Sequence, residues 1–130
     1  MKRRVYLKTM LAAAGAGAAL AQSGGAKPIL LYVDMDVDPK KEKEMLRHFD
    51  TVFKPAASKQ PGYIDVRLLK LRSTLVGKAP AHVNYRFALT MQSEELRQKW
   101  IATDVHQKVW PPIENCLTTK DYTVMLFDVA

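Results

Sequence analysis

From Ile29 to Val37 the chain alternates: Ile29, Leu31, Val33, Met35 and Val37 are apolar, and Leu30, Tyr32, Asp34 and Asp36 stand between them. A period of two is a strand with one wholly apolar face, and such a face must be covered by another layer. The cover follows at once. Asp38-Pro39 marks a helix start, since the carboxylate accepts orphan N–H groups of the first turn and proline fits the first helical position. Met45, Leu46, Phe49, Val52, Phe53 and Ala56 then recur at helical spacing among Lys40, Lys41, Glu42, Lys43, Glu44 and Arg47. This predicts an amphipathic helix laid on the sheet. Pro55 should kink or loosen its last turn, and Pro61-Gly62 ends the connection.

A second strand is expected over Tyr63–Arg72, with Ile64, Val66 and Leu68 on one face and Asp65 and Arg67 on the other. Residues 73–80, with Gly77 and Pro80, read as a loop. A third strand runs over Val83–Met91, where Val83, Tyr85, Phe87, Leu89 and Met91 alternate with Asn84, Arg86, Ala88 and Thr90. Ser93 is a good N-cap with Glu94 and Glu95 in the first turn, and Leu96, Trp100 and Ile101 give that helix its buried stripe. A short helix is expected over Val105–Trp110, stopped by Pro111-Pro112, and Tyr122–Val129 closes the series. The order strand, helix, strand, strand, helix, strand predicts an α+β, ferredoxin-like βαββαβ fold, a four-stranded antiparallel sheet with helices on one face. The first and third strands are neighbours in this topology, so Arg86 should pair across the sheet with Asp34 or Asp36. Leu30, Tyr32, Leu69 and Leu71 make the other face more apolar than a water-facing sheet should be, and a second subunit is the natural cover.

The first 21 residues read differently. A basic start with Lys2, Arg3, Arg4 and Lys8, an uncharged Ala/Gly-rich run over residues 9–20, and Ala19-Leu20-Ala21 before Gln22 form the order a signal peptidase needs, with cleavage between Ala21 and Gln22. A membrane anchor needs about 20 strongly apolar residues, whereas this run is shorter and diluted by Gly15 and Gly17. Arg3-Arg4-Val5-Tyr6-Leu7-Lys8 resembles the twin-arginine motif, with Lys2 where Ser or Thr is usual. That resemblance implies a bacterial protein handed folded to the twin-arginine translocase, with a periplasmic or extracellular destination; the general secretory route is the alternative. Residues 22–27 are then a linker and 28–130 the domain. Removing the signal leaves 16 basic against 13 acidic residues, a balance of +3 instead of +7. Interleaved charges of that size are an ordinary solvated surface and give no case for nucleic acid. Cys116 is the only cysteine, so no internal disulfide is available and stability must come from burial.

Pro61-Gly62-Tyr63-Ile64-Asp65-Val66 behind an amphipathic helix resembles a known family, as does Ser93-Glu94-Glu95-Leu96 leading to Trp100 and on to Asp104-Val105-His106-Gln107-Lys108-Val109-Trp110-Pro111. The family is the antibiotic biosynthesis monooxygenases, dimeric α+β barrels, and the resemblance spans residues 28–129. It implies a homodimer whose two sheets pack into a barrel with the helices outside, and a cleft between sheet and helices that holds a small apolar or aromatic ligand. Family members include cofactor-independent oxygenases of phenolic or quinol-like molecules and haem-degrading enzymes, so the fold does not fix the function.

Cofactor-independent oxygenation needs a group that removes a proton from an electron-rich phenol and a dry pocket that holds the anion near dioxygen. His106 is the candidate for that base or hydrogen-bond partner, because imidazole titrates near neutral pH. Trp110, one turn on, together with Trp100 and Tyr85, is the expected ligand pocket. The plainer reading is that His106 caps or packs its helix, that the tryptophans are core, and that Tyr85 and Tyr32 bury their rings and send their hydroxyls to water. No cofactor is expected. The haem-degrading branch resembles itself in an Asn on the first strand, a Trp before the second helix and a His ligand on the short helix. This chain has Val33 or Asp34, Met91 or Gln92, and Trp110 there, with His106 a turn early, and all three departures count against haem. His48, His82 and His106 lack the spacing of a metal site, and Cys116 has no evident base to make it a nucleophile.

Overall fold

The computed structural model describes residues 27–130. The expected signal, its Ala21–Gln22 cleavage point and the paired Arg3 and Arg4 lie outside the described residues. Strand β1 is Ile29–Met35, β2 is Tyr63–Lys70, β3 is Tyr85–Met91 and β4 is Thr123–Asp128. They form one sheet in the order β2-β3-β1-β4 with every neighbouring pair antiparallel. The helical segments are α1 (Glu42–His48), α2 (Lys54–Ser58), α3 (Glu94–Ile101), α4 (Asp104–Val109) and α5 (Pro111–Glu114). This is the α+β ferredoxin-like architecture the periodicities predict. Among the described residues no helix is long and apolar enough to cross a membrane.

The first helical run begins where expected. The Asp38 carboxylate accepts from the Lys40 N–H at 2.9 Å, and a 3₁₀ turn at Pro39–Lys41 leads into α1. Pro55 acts differently from the expected loosening. Proline cannot donate to the carbonyl four residues back, and the helix meets this by widening into a π turn over Phe49–Phe53 before continuing to Ser58. The extra residue changes which side chains reach the sheet. Met45, Phe49, Phe53 and Ala57, spaced by four, are buried, while Leu46 and Val52, expected in the stripe, stand 37% and 42% exposed.

A second correction concerns β2. Tyr63 pairs with Met91 and Asp65 with Thr90, so two residues of β2 oppose one of β3. A bulge of this kind shifts the face of the residue it adds. Ile64 is therefore exposed, and Tyr63, Val66 and Leu68 pack toward the core instead. The first strand also ends early: its ladder stops at Met35, and Val37 makes an isolated bridge to Leu117. The Asn84 side chain holds that end in place, accepting from the Val37 N–H at 2.7 Å and donating to the Val37 carbonyl at 2.9 Å. Pro111-Pro112 ends α4 as expected and then opens α5, since proline suits the first helical positions.

The core lies between the sheet and the helices. Val33, Met35, Phe87, Leu89 and Met91 meet Met45, Phe49, Phe53, Trp100 and Ile113, all nearly inaccessible. The opposite face is the apolar one anticipated, with Leu69, Leu71 and Phe127 each more than 40% exposed. On it Arg86 and Asp34, directly opposed in register, form a bidentate pair at 2.7 and 3.0 Å, and the guanidinium lies 4.7 Å over the Tyr32 ring. The helices leave β4 largely uncovered. Val124 and Leu126, which share the helix-side face with Val33 and Leu31, are 53% and 45% exposed.

Candidate functional site

Thr103 builds the site. Its hydroxyl donates to the Trp100 carbonyl at 2.7 Å, closing α3, and accepts from the His106 N–H at 3.1 Å, opening α4. One side chain thus caps two helix ends, which fixes the turn between them and lays the His106 ring edge-on to Trp100, with centroids 5.0 Å apart. Helical spacing then stacks Trp110 on the other side of His106, at 6.4 Å and 13° between planes. Phe53 from the π turn fits between the two indoles, 6.1 Å from each, and Phe87 of β3 lies 5.4 Å beneath Trp110.

Two ring nitrogens of this cluster differ in their partners. The Trp110 Nε1–H points to the Tyr122 hydroxyl at 3.4 Å, and that hydroxyl donates to Glu114 at 2.7 Å. Burial, with the Glu114 hydrogen bond second, raises the Tyr122 pKa above its ordinary value and keeps the phenol protonated. His106 Nδ1 is buried with no hydrogen-bond partner. An orphaned buried nitrogen costs about 1–3 kcal/mol, so it calls for an explanation in a ligand or an ordered water. Burial is also the main reason its imidazole titrates below the usual histidine value, with the Arg97 charge adding to the effect. Arg97 is held by a two-pronged pair with Glu94 on α3. At neutral pH the His106 ring is therefore uncharged, with one nitrogen free to accept and the other to donate.

Trp100, His106 and Trp110 are brought together as expected. Tyr85 is not among them. Its ring is buried at the far end of β3, and its hydroxyl donates to Glu42 at 2.6 Å, while Lys70 reaches the same carboxylate oxygen at 2.7 Å. Burial, followed by the Glu42 bond, pushes the Tyr85 pKa up to about 12. Glu42 is held below the usual carboxylate range, first by the Lys70 bond and then by Tyr85. A phenol so engaged has no hydroxyl proton left to give a ligand. Tyr32 lies on the outer sheet face, edge-on to Phe127. Tyr122, Glu114, Phe53 and Thr103 were not singled out from the sequence as site residues. Of these, only Thr103 carried a readable signal, as a hydroxyl residue directly before a helix start.

The remaining candidates take structural places. Cys116 is buried, its Sγ 3.3 Å from the Pro112 carbonyl, and burial pushes its thiol up and away from nucleophilic use. His48 Nε2 is 2.8 Å from the Val109 carbonyl, tying α1 to α4. Among the described residues no group of three or more His, Cys, Asp and Glu side chains is placed to hold a metal ion. Val33 and Met91, which stand where the haem-degrading branch has Asn and Trp, are buried apolar core, and Asp34 is committed to Arg86. These side chains do not fit a haem site built in that way.

No protein-family model matches the chain, and no curated protein matches its sequence. Solved structures do match. A candidate antibiotic biosynthesis monooxygenase from Bordetella bronchiseptica superposes with a TM-score of 0.64 at 12% identity, covering 80% of this chain and 98% of that one. A dimeric ferredoxin-like protein of unknown function from Jannaschia sp. CCS1 gives 0.63 at 12% identity, covering 79% and 98%. A heme-degrading protein from Mycobacterium tuberculosis gives 0.56 at 16% identity, covering 82% and 94%. Likeness at this level of identity establishes the shared fold.

Proposed function

We propose that this chain is an exported, homodimeric protein of the antibiotic biosynthesis monooxygenase type that oxidises a small aromatic or quinol-type molecule without a tightly bound cofactor. The observation that carries the reading is the unpartnered, buried Nδ1 of a neutral His106, flanked by Trp100 and Trp110. A phenolic ligand lying against Trp110 would offer its hydroxyl to that nitrogen. Proton transfer to the imidazole leaves an electron-rich phenolate in apolar surroundings, the form that gives up electrons to dioxygen. The substrate itself then supplies the electrons: one oxygen atom enters the ring system and the other leaves as water.

The test is oxygen consumption with a panel of hydroquinones and phenols, comparing the parent with His106→Ala. Turnover by the parent and its loss in the variant supports the reading; equal turnover by both removes His106 from the chemistry. The second reading is a non-catalytic small-molecule-binding dimer. It is favoured by the single fully buried nitrogen of the cluster that lacks a partner, His106 Nδ1, which suits recognition of an aromatic ligand through one hydrogen bond. Binding that quenches tryptophan fluorescence, without oxygen uptake, would select it. Titration with haemin belongs in the same panel, because a haem-degrading protein shares the fold; a Soret shift lost in His106→Ala would replace both readings. Export through the twin-arginine route is part of the proposal. It predicts a mature N-terminus at Gln22 and retention of the full-length chain in cells carrying Arg3→Lys and Arg4→Lys.

A further inference from the structure

Hairpin connections are usually two to five residues long, yet β2 ends at Lys70 and β3 begins at Tyr85. This long connection is closed at its base, where the Leu71 N–H donates to the Asn84 carbonyl at 2.8 Å. Its tip carries Leu75 and Val76, each 91% exposed, the highest exposure among the large apolar residues described. Gly77, at φ +84°, turns the chain just beyond them, and a Cβ built there would meet nothing within 4 Å. The tip therefore stands clear of its own domain. At the base of the same hairpin is a recess of about 330 Å³ lined by Leu69, Leu71, Pro80 and Val83, with Arg72 and Arg86 among its polar groups. It opens on the outer sheet face, continuous with the uncovered Leu69 and Leu71.

We infer that the Leu75–Val76 tip is a docking arm that seats in the recess of a second copy of this chain, whose own arm seats in return. The inference rests on the homodimer proposed above and specifies how its two sheets are locked together. A two-fold interface must be self-complementary: if one patch contacts another, the reverse contact occurs too. A protruding apolar tip and an apolar recess on a single hairpin meet that requirement. Leaving two large apolar side chains in water forgoes the favourable free energy of burying them. A lipid surface is the weaker candidate occupant, since two side chains give too little buried area for stable anchoring.

Sedimentation equilibrium on the full chain tests this. Leu75→Ser with Val76→Ser alters only exposed positions, so the fold and thermal midpoint should be kept while the dimer dissociation constant rises at least tenfold. Val83→Arg, which blocks the recess, should weaken the dimer by a similar factor. Combined with the tip variants it should add little, because both remove one contact. A parent chain that is monomeric at micromolar concentration would overturn the homodimer and the arm together. A dimeric parent whose dissociation constant is unmoved by the tip or recess variants would overturn the arm alone. The same holds if the tip variants leave dimerisation intact and instead abolish binding to vesicles of anionic phospholipid.

Discussion

Replacing Gly62 with alanine should destabilise the protein by two separable effects. Gly62 has φ +86°, and an added Cβ would lie 2.6 Å from Leu96 Cδ1 and 2.9 Å from Leu96 Cβ. The backbone effect, an L-residue held in the left-handed region, is about 1–2 kcal/mol. The packing effect, a methyl forced against the first turn of α3, is about 1–3 kcal/mol, because the Leu96 Cβ cannot rotate away. Their sum, about 2–5 kcal/mol, should lower the thermal midpoint by roughly 10–30 °C for a domain of this size. Gly77 supplies the control. Its φ is +84° but its surroundings are open, so Gly77→Ala should show the backbone effect alone. Urea unfolding followed by circular dichroism gives both numbers. Adding Leu96→Ala to Gly62→Ala should recover part of the packing effect, since the Cδ1 contact disappears and the Cβ contact stays. Equal losses for Gly62→Ala and Gly77→Ala, within about 0.5 kcal/mol, would refute the close packing of Gly62 against Leu96.

Two further outcomes are expected. Because burial holds the folded His106 below its unfolded pKa of 6.5, the unfolded chain takes up the proton first as pH falls. Stability should therefore decline from about pH 6.5 downward and level off below the folded value. His106→Gln should flatten that slope in a pH series of thermal midpoints; an unchanged slope would mean another group carries it. Cys116, buried with a raised pKa, should react with a thiol reagent only when the chain opens. Labelling at neutral pH should accordingly accelerate with urea in step with unfolding, and rapid labelling of the native protein would contradict its placement.

The sequence carried the architecture further than the site. Strand parity, the Asp38 and Ser93 caps and the Asp34–Arg86 pair are all local patterns or direct consequences of strand order, and each is found where that order puts it. The departures come from single inserted residues. The bulge at Ile64 and the π turn at Phe49–Phe53 each add one residue to a regular repeat, and no window of hydrophobicity distinguishes an added residue from a polar exception. The candidate site was legible where helical spacing alone brings its residues together, as with His106 and Trp110. Tyr85 failed for a different reason. Parity places it on the correct face but says nothing of position along the strand, and Glu42, far away in sequence, captures its hydroxyl. Asn84 shows the same limit: an amide that stands in for a strand neighbour to Val37 has no signature in the chain itself.

Phe53 is the last residue of the π turn and the keystone between Trp100 and Trp110. Its place in the aromatic cluster around His106 therefore depends on the helix being one residue wider than an α-helix at this point. Pro55, two residues on, has no N–H to give to the helix, and the wider turn accommodates that lack. A proline on the outer layer thus serves as a spacer for the site, and relaxing it to a residue with an N–H would let the helix tighten and draw the wedge out.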